Sequence, residues 1–331
     1  MAITLAEAKV GMADKVDQMV VDTFRRNSAL LDALTFDNMI SPGTGGSTLL
    51  YGYVQLKTPS TAGVRTINNE YTANEAKREE KTAKAIIMGG SFQVDRVLQD
   101  TSGAVDEMAF QMEQKIKATA NEFHYTVING TAASSGAGYK TNTFDGLKKL
   151  LSGTSSEFES GIDISTAALL DSNANAFLDQ LDALIKSIDG ETSMLMMNTE
   201  MFLKVRAAAR RAGYYTRSED AFGRLVENYG NIPLIDLGKY YNGTSSVDVV
   251  GTSAPTSSAT GKSDIYAVSL GLDGFHGISP VGNNLIKTYL PDMSAPGAVK
   301  TGEVELVAGV ALKSTLKAAV LKDIGIKAKT A

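Results

Sequence analysis

Residues 41–56 read SPGTGGSTLLYGYVQL, and the fold turns on whether these glycines cradle a phosphate or open a strand. A phosphate loop needs a preceding strand, a Lys-Ser/Thr pair after its last glycine, and a helix whose N-terminus faces the anion. Here Gly46 is followed by Ser47 and Thr48, with no lysine. Next come Leu49, Leu50, Tyr51, Tyr53, Val54 and Leu56, the texture of a strand rather than a helix. The glycines therefore turn the chain into a strand, expected over 47–57.

That strand leads into the turn-rich KTPSTAG at 57–63 and then the polar RTINNEYTANEAKREEKTAK at 65–84. Apolar character resumes at Ala85, Ile86, Ile87 and Met88, followed by Phe92 and Val94. The pattern predicts a two-stranded excursion over 44–95 with a hydrophilic middle. Its charge cluster, Glu75 to Lys84, holds both signs, as a solvated face does. One reading is a surface loop. The other starts from energetics: an isolated two-stranded ribbon is marginal in water, and its open edges invite another chain. A ribbon this long wants support from its own body or from a neighbouring subunit.

Upstream, Leu5, Ala8, Met12, Val16, Met19, Val20 and Phe24 fall near helical spacing, so an amphipathic helix is expected over 3–24. A short second helix is expected with Ser28 as N-cap before Ala29, Leu30, Leu31 and Leu34, ended by Pro42 and Gly43. Downstream, residues 102–128 carry the strongest helical stripe: Val105, Met108, Ala109, Met112, Ile116, Ala120, Phe123 and Val127. Asp106 and Glu107 favour its first turn, Gly130 closes it, and it should be roughly 40 Å long.

Residues 131–172 read as a Gly/Ser/Thr-rich loop with a short helix near Phe144–Leu151. From 173 helices and strands alternate: NAFLDQLDALIKSI as a helix, MLMMN at 194–198 as a buried strand, and a helix capped by Thr199, running to Arg211 and stopped by Gly213. Further strands are expected at Leu225–Val226, Ile232–Leu237 and Ile265–Leu270. A long polar loop follows at 241–263, and 284–324 supplies more strands. No internal repeat is evident.

The bulk composition narrows the classes. The chain has 331 residues, 43% hydrophobic and 21% charged, enough for one large domain or two ordinary ones. A net charge of −5 indicates neither a basic nucleic-acid binder nor an acidic tail. With no cysteine there is no disulfide framework, thiolate metal site or cysteine nucleophile. No 18-residue apolar run exists, so no membrane helix is expected. MAITLAEAKVGMADK has no apolar signal core, so a soluble protein made inside the cell is the default expectation.

Chemistry is harder to find. His124 lies within the long helix without HExxH-type spacing, and His276 sits between glycines in GLDGFHGISP. No G-x-S-x-G elbow supplies a serine nucleophile. Asn129-Gly-Thr and Asn242-Gly-Thr match a glycosylation sequon, which without a signal peptide reads as chance. Arg206, Arg210 and Arg211 cluster on RAAARRAG. They either bind phosphate or a neighbour's carboxylates, or simply stabilise a helix C-terminus. Neither a catalytic set, a cofactor site nor a metal site is expected.

The succession of elements is more telling than any motif. SFQVDRVLQDTSG at 91–103, the helix ending at VINGT (127–131), ENYGNIPLIDLG at 227–238 and the C-terminal GEVELVAGVALKSTLKAAVLKDI each carry part of one pattern. Together they resemble the major capsid protein of tailed bacteriophages, with its Hong Kong 97-like fold, over nearly the whole chain. The resemblance implies an α+β fold with an N-terminal arm at 1–43 and an extended E-loop hairpin at 44–90. The spine helix and first part of the peripheral domain would occupy 91–172, the axial domain 173–279, and the returning peripheral strands 280–331.

It also implies a non-enzymatic protein of the virion, made in the host cytoplasm, that assembles with itself into pentamers and hexamers of an icosahedral shell around double-stranded DNA. Inter-subunit contacts would come from Lys57, Arg65, Glu75, Lys77, Arg78, Glu79, Glu80 and Lys81 on the hairpin and from Arg206, Arg210 and Arg211. Portal, scaffolding and decoration proteins are implied partners, with non-specific contact to the packaged DNA and none to a membrane. Some relatives begin with a cleaved scaffolding segment; here Met1 leads straight into the arm, so a separate scaffold, or none, is expected. Some relatives form Lys–Asn crosslinks, but nothing in the context of Lys57, Asn283 or Asn284 singles those residues out. Two alternatives stay open: an encapsulin-like bacterial compartment shell, and a hydrolase using unrecognised carboxylates.

Overall fold

The computed structural model describes residues 29–39, 49–58, 60–101, 107–132, 143–213, 215–219, 225–280, 286–292 and 294–330. The helix expected over 3–24, its Ser28 neighbour, the glycine turn itself and Asn283 and Asn284 lie outside them. Helix α1 (Ala29–Ala33) is followed by strand β1 (Phe36–Asn38), the ribbon strands β2 (Leu50–Thr58) and β3 (Lys77–Lys84), and β4 (Ile86–Asp95). Then come α2 (Arg96–Thr101), the long α3 (Glu107–Asn129), α4 (Leu147–Leu151), β5 (Glu157–Glu159) and α5 (Ala167–Lys186). Strand β6 (Met194–Met197), helix α6 (Thr199–Ala212) and strands β7 (Tyr215–Glu219), β8 (Leu225–Tyr229) and β9 (Ile232–Asp236) continue the chain. The last elements are β10 (Lys239–Tyr241), β11 (Ser246–Asp248), β12 (Gly261–Val268), β13 (Phe275–Ser279), β14 (Ile286–Tyr289), β15 (Val299–Leu312) and β16 (Ala318–Lys327).

One sheet is built around β15, which pairs with β13 through Gly309–Leu312 and with β4 through Val299–Ala308. Strand β14 flanks it on the other side and β1 adds to β13 in parallel. Strand β4 alternates, burying Ile86, Met88, Phe92 and Val94 while Ile87 and Gln93 face solvent. The buried face receives α3, whose Met108, Met112 and Ile116 pack on Phe92, Val94 and Val304. Gly302 stands opposite Phe92, where a Cβ would lie 2.4 Å from the ring. Glycine lets the aromatic lie across its partner strand.

The second sheet has seven strands in the order β5-β16-β12-β6-β9-β8-β7. Its β6, MLMM, is buried at every position. Leu195 and Met197 face one core with Phe177, Leu181, Met201 and Val205 of α5 and α6. Met194 and Met196 face the other, with Phe123, Val127, Tyr266 and Leu306. A strand covered on both faces reads as an unbroken apolar run, which explains the sequence.

Several expectations are corrected by tertiary structure. The ribbon does not run to 95: β3 ends at Lys84, and Ile86 onward already belongs to the β15 sheet. The helix after Ser28 stops at Ala33 because Phe36–Asn38 are drawn into pairing with Gly277–Ser279. Helix α5 starts at Ala167, not at the Asn175 that opens NAFLDQLDALIKSI, with Thr166 Oγ1 accepting from the Leu169 amide at 3.2 Å. The α6 cap is Asn198 rather than Thr199. Its Oδ1 accepts from Met201 N at 2.8 Å, while Nδ2 donates to Val250 O, Thr252 Oγ1 and Ser263 Oγ at 2.8–3.0 Å. The polar stretch 241–263 holds β11 and buries Val249 and Val250. Gly130 does close α3, its amide donating to Thr126 O.

The second sheet takes strands from both sides of the boundaries drawn at 172/173 and 279/280, since β5 and β16 share it with β6 and β12. Within the 1–43 segment, Leu30 and Leu34 are buried in the chain's own core.

Candidate interaction surface: the ribbon and its root

Among the described residues, strands β2 and β3 pair only with each other, Leu50↔Lys84 through Leu56↔Arg78, with a register shift at Lys57 before Thr58↔Lys77. Among the described residues between Ser60 and Arg78, none is buried. Val64 is 103% exposed, Ile67 90% and Tyr71 65%. Side-chain bonds inside this loop are local: Arg65 Nη1 donates to Asn69 O at 3.3 Å, and Asn74 Nδ2 to Thr61 Oγ1 at 2.8 Å. The Arg65 guanidinium lies 5.4 Å from the Tyr71 ring centre. On one face of the ribbon, Leu50 and Val54 are more than half exposed. Large apolar side chains standing in water mark an interaction surface when they gather on one element.

Among the described residues, the root of the ribbon is the part seated on the body. Tyr51, Tyr53 and Ala83, with Met39, pack on Ala85, Ile278 and Ala311. Tyr51 donates its hydroxyl to Asp37 Oδ2 at 2.7 Å and presents its ring edge-on to His276 at 5.8 Å. Burial and the nearby carboxylate push the Tyr51 hydroxyl pKa upward, so it stays a donor.

The sequence-expected contact residues fall into two groups. Lys57, Arg65, Glu75, Lys77, Arg78, Glu79, Glu80 and Lys81 all lie on the ribbon or its loop. Glu75, Lys77, Arg78, Glu80 and Lys81 are exposed, and Lys81 approaches Glu79 at 3.5 Å. The arginines of α6 are not a single cluster. Arg206 pairs with Glu227 at 3.0 Å, and Arg211 with Asp171 at 2.6 Å and the Ala207 carbonyl at 3.2 Å. Arg210 is exposed. Two of the three are thus engaged within their own chain, and sequence spacing alone could not find partners 21 and 40 residues away.

His124 is buried in α3, and burial holds its pKa down to about 4. Its folded pKa lies below the ordinary 6.5, so the unfolded chain binds the proton more readily. Stability is therefore complete above about pH 6.5 and is lost as pH falls toward about 4. Thermal melts over that window should show the midpoint falling with pH, and His124→Gln should flatten the slope. No His, Cys, Asp or Glu grouping among the described residues could hold a metal ion. No described helix is long and apolar enough to cross a membrane.

A ribbon leaving the body, a long helix laid on a sheet, and a second sheet sandwiched between two cores form the Hong Kong 97-like capsid fold. Three solved structures share it along nearly the full length of both chains. The holo-SrpI encapsulin complex from Synechococcus elongatus PCC 7942 matches with TM-score 0.64 and 14% identity over 100% of this chain and 99% of that one. The capsid of the native GTA particle matches with 0.57 and 13% over 98% and 100%, and the capsid of Myoviridae phage XM1 with 0.54 and 13% over 95% and 98%. The chain belongs to the SU10 major capsid protein family, whose model matches residues 15–236. It is a capsid-forming structural protein of a phage or phage-like particle. No curated protein matches it.

Proposed function

We propose that the protein is the major head protein of a tailed phage, assembling as pentamers and hexamers into an icosahedral shell around double-stranded DNA. Membership of a phage capsid family together with a ribbon whose described residues between Ser60 and Arg78 are all exposed in the single chain carries this reading. In it, 44–90 is the E-loop lying on an adjacent subunit, α3 is the spine helix, and 1–43 is the N-terminal arm. The seven-stranded sheet with α5 and α6 forms most of the axial domain, and the β15 sheet with α3 forms the peripheral one. The ribbon's charges and Arg210 meet neighbouring subunits. Each interface is heterologous, so contacts close into rings and then a lattice, and modest contacts accumulate by avidity. The protein is not an enzyme in this reading. It works with a portal, a separate scaffold and, where present, a decoration protein, and with an acidic chain the DNA is held by confinement.

A bacterial compartment shell is the second reading, favoured by the full-length fit to the SrpI encapsulin. Purified full-length protein, expressed with and without its neighbouring genes, should give capsomers or closed shells in negative-stain images. Nuclease-protected DNA inside supports the phage head, and protein cargo supports the compartment. A protein that stays monomeric at high concentration under both conditions overturns both.

A further inference from the structure

The root of the ribbon contains a buried histidine that neither the fold nor the proposed assembly uses. His276 on β13 is fully buried. Its Nδ1 lies 3.2 Å from the Gly274 carbonyl, which can only accept, so Nδ1 carries the proton in the neutral ring. That leaves Nε2 as a bare acceptor, and among the described residues it has no hydrogen-bond partner. A buried polar atom left unpaired is unusual and costs stability. The ring is held against the edge of Tyr51, 5.8 Å between centres, and Tyr51 in turn ties β2 to the body through Asp37.

We propose that His276 is a proton-sensitive latch for the ribbon: neutral, it lets Tyr51 seat on Asp37; charged, it unseats Tyr51 and frees the β2–β3 root. Protonation would place a new N–H on Nε2, which among the described residues has no hydrogen-bond partner. A carboxylate that acts on the ring is Asp37 on β1, which already accepts from the Tyr51 hydroxyl through Oδ2 and from the Asn38 amide through Oδ1. An imidazolium drawn toward Asp37 would compete with the Tyr51 hydroxyl for that carboxylate.

The other charged groups around the ring are Lys313, just beyond β15, and Asp273, in the loop before β13. The Lys313 ammonium also stands 5.8 Å from the Tyr51 ring centre. Among the described apolar residues of this seat, the ribbon strand β3 contributes Ala83 and β15 contributes Ala311. Burial, with Lys313 adding to it, lowers the His276 pKa, opposed by the Gly274 carbonyl, Asp37 and Asp273. A lowered folded value means that the seated ribbon is favoured above the ordinary histidine pKa and loses that preference as pH falls below it. Loosening is thus an acid response, and it is local, because β13 itself is locked between β1 and β15.

Hydrogen exchange of the full-length chain, read by mass spectrometry from about pH 7.5 to about 5 and corrected for the intrinsic rate, tests this. Peptides over 50–58 and 77–84 should lose protection severalfold on acidification, while those over β6 and α6 hold theirs. His276→Phe, which keeps the ring against Tyr51 without a titrating nitrogen, should abolish the pH response. Lys313→Met, which removes a nearby cation, should move the transition to higher pH, and it remains informative if His276→Phe fails to fold. A pH-independent ribbon in the wild type, or an unchanged response in both variants, overturns the latch. The readout needs no assembled particle, so it stands or fails separately from the shell.

Discussion

Replacing residues 55–79 with an Asn-Gly turn is expected to leave a folded subunit that forms no closed shells. The deletion ends on the facing pair Val54↔Glu80, and a two-residue type I′ turn suits the twist of such a pair. The seat of the ribbon survives, since Tyr51, Tyr53 and Ala83 with their contacts to Ile278 and Ala311 are kept. The described part of the loop removed between Ser60 and Arg78 buries nothing in its own chain. The thermal midpoint of the subunit should therefore stay within about 2 °C of wild type. Assembly is another matter. If the ribbon rests on a sister molecule, every subunit loses one of its several simultaneous contacts, and losing a tethered contact costs on the order of a hundredfold or more in avidity. Gradient sedimentation and negative-stain imaging should show a corresponding collapse in particle yield. Shells of normal number and stability from the truncated chain would mean that the exposed apolar groups of the ribbon serve something other than the lattice.

How far the sequence announces all this depends on how local each cause is. The stripe Met108, Met112, Ile116, Phe123 and Val127 repeats at helical spacing, and it is the stripe that packs in the structure. MLMMN was legible because a strand buried on both faces cannot alternate. The ribbon was legible because a polar middle between two strand-like runs has few other solutions.

What stayed hidden depends on distant partners. Phe36–Asn38 is a strand only because Gly277–Ser279 lies beside it, and nothing in FDN says so. The first turns of α5 carry Ser172, Asn173 and Asn175, which read as loop, yet Leu170, Ala174 and Phe177 continue the buried stripe. Asn198 and Thr199 are equally good caps on paper. The choice falls on Asn198 because its amide also reaches Val250, Thr252 and Ser263, at least 52 residues away. His276 sits between glycines in GLDGFHGISP, and nothing in that stretch announces its contact with Tyr51, a non-local fact.

Phe123→Ala should be the most damaging single truncation in the long helix, costing about 3–5 kcal/mol, the range for emptying a buried aromatic site. The side chain is fully buried. Its ring centre lies 6.4 Å from that of Phe36 and 6.1 Å from that of Phe144, both tilted, distances at which aromatic pairs attract beyond simple burial. Phe123 thus joins α3 to β1 on one side and to the segment leading into α4 on the other. A cavity there cannot be filled by a simple collapse, because β1 is fixed by its register with β13. Phe123→Leu, which keeps most of the volume, should cost only about 1–1.5 kcal/mol. Met112→Ala is the comparison at the outer end of the helix, where the side chain is half-buried, and it should fall well below Phe123→Ala. Denaturant melts of the three variants give the order directly. The same loosening should reach Phe36, so limited proteolysis within 29–39 should accelerate in Phe123→Ala and not in Met112→Ala. Equal losses in the two alanine variants would show that the helix is held evenly along its length, not pinned where it meets the strand that precedes the ribbon.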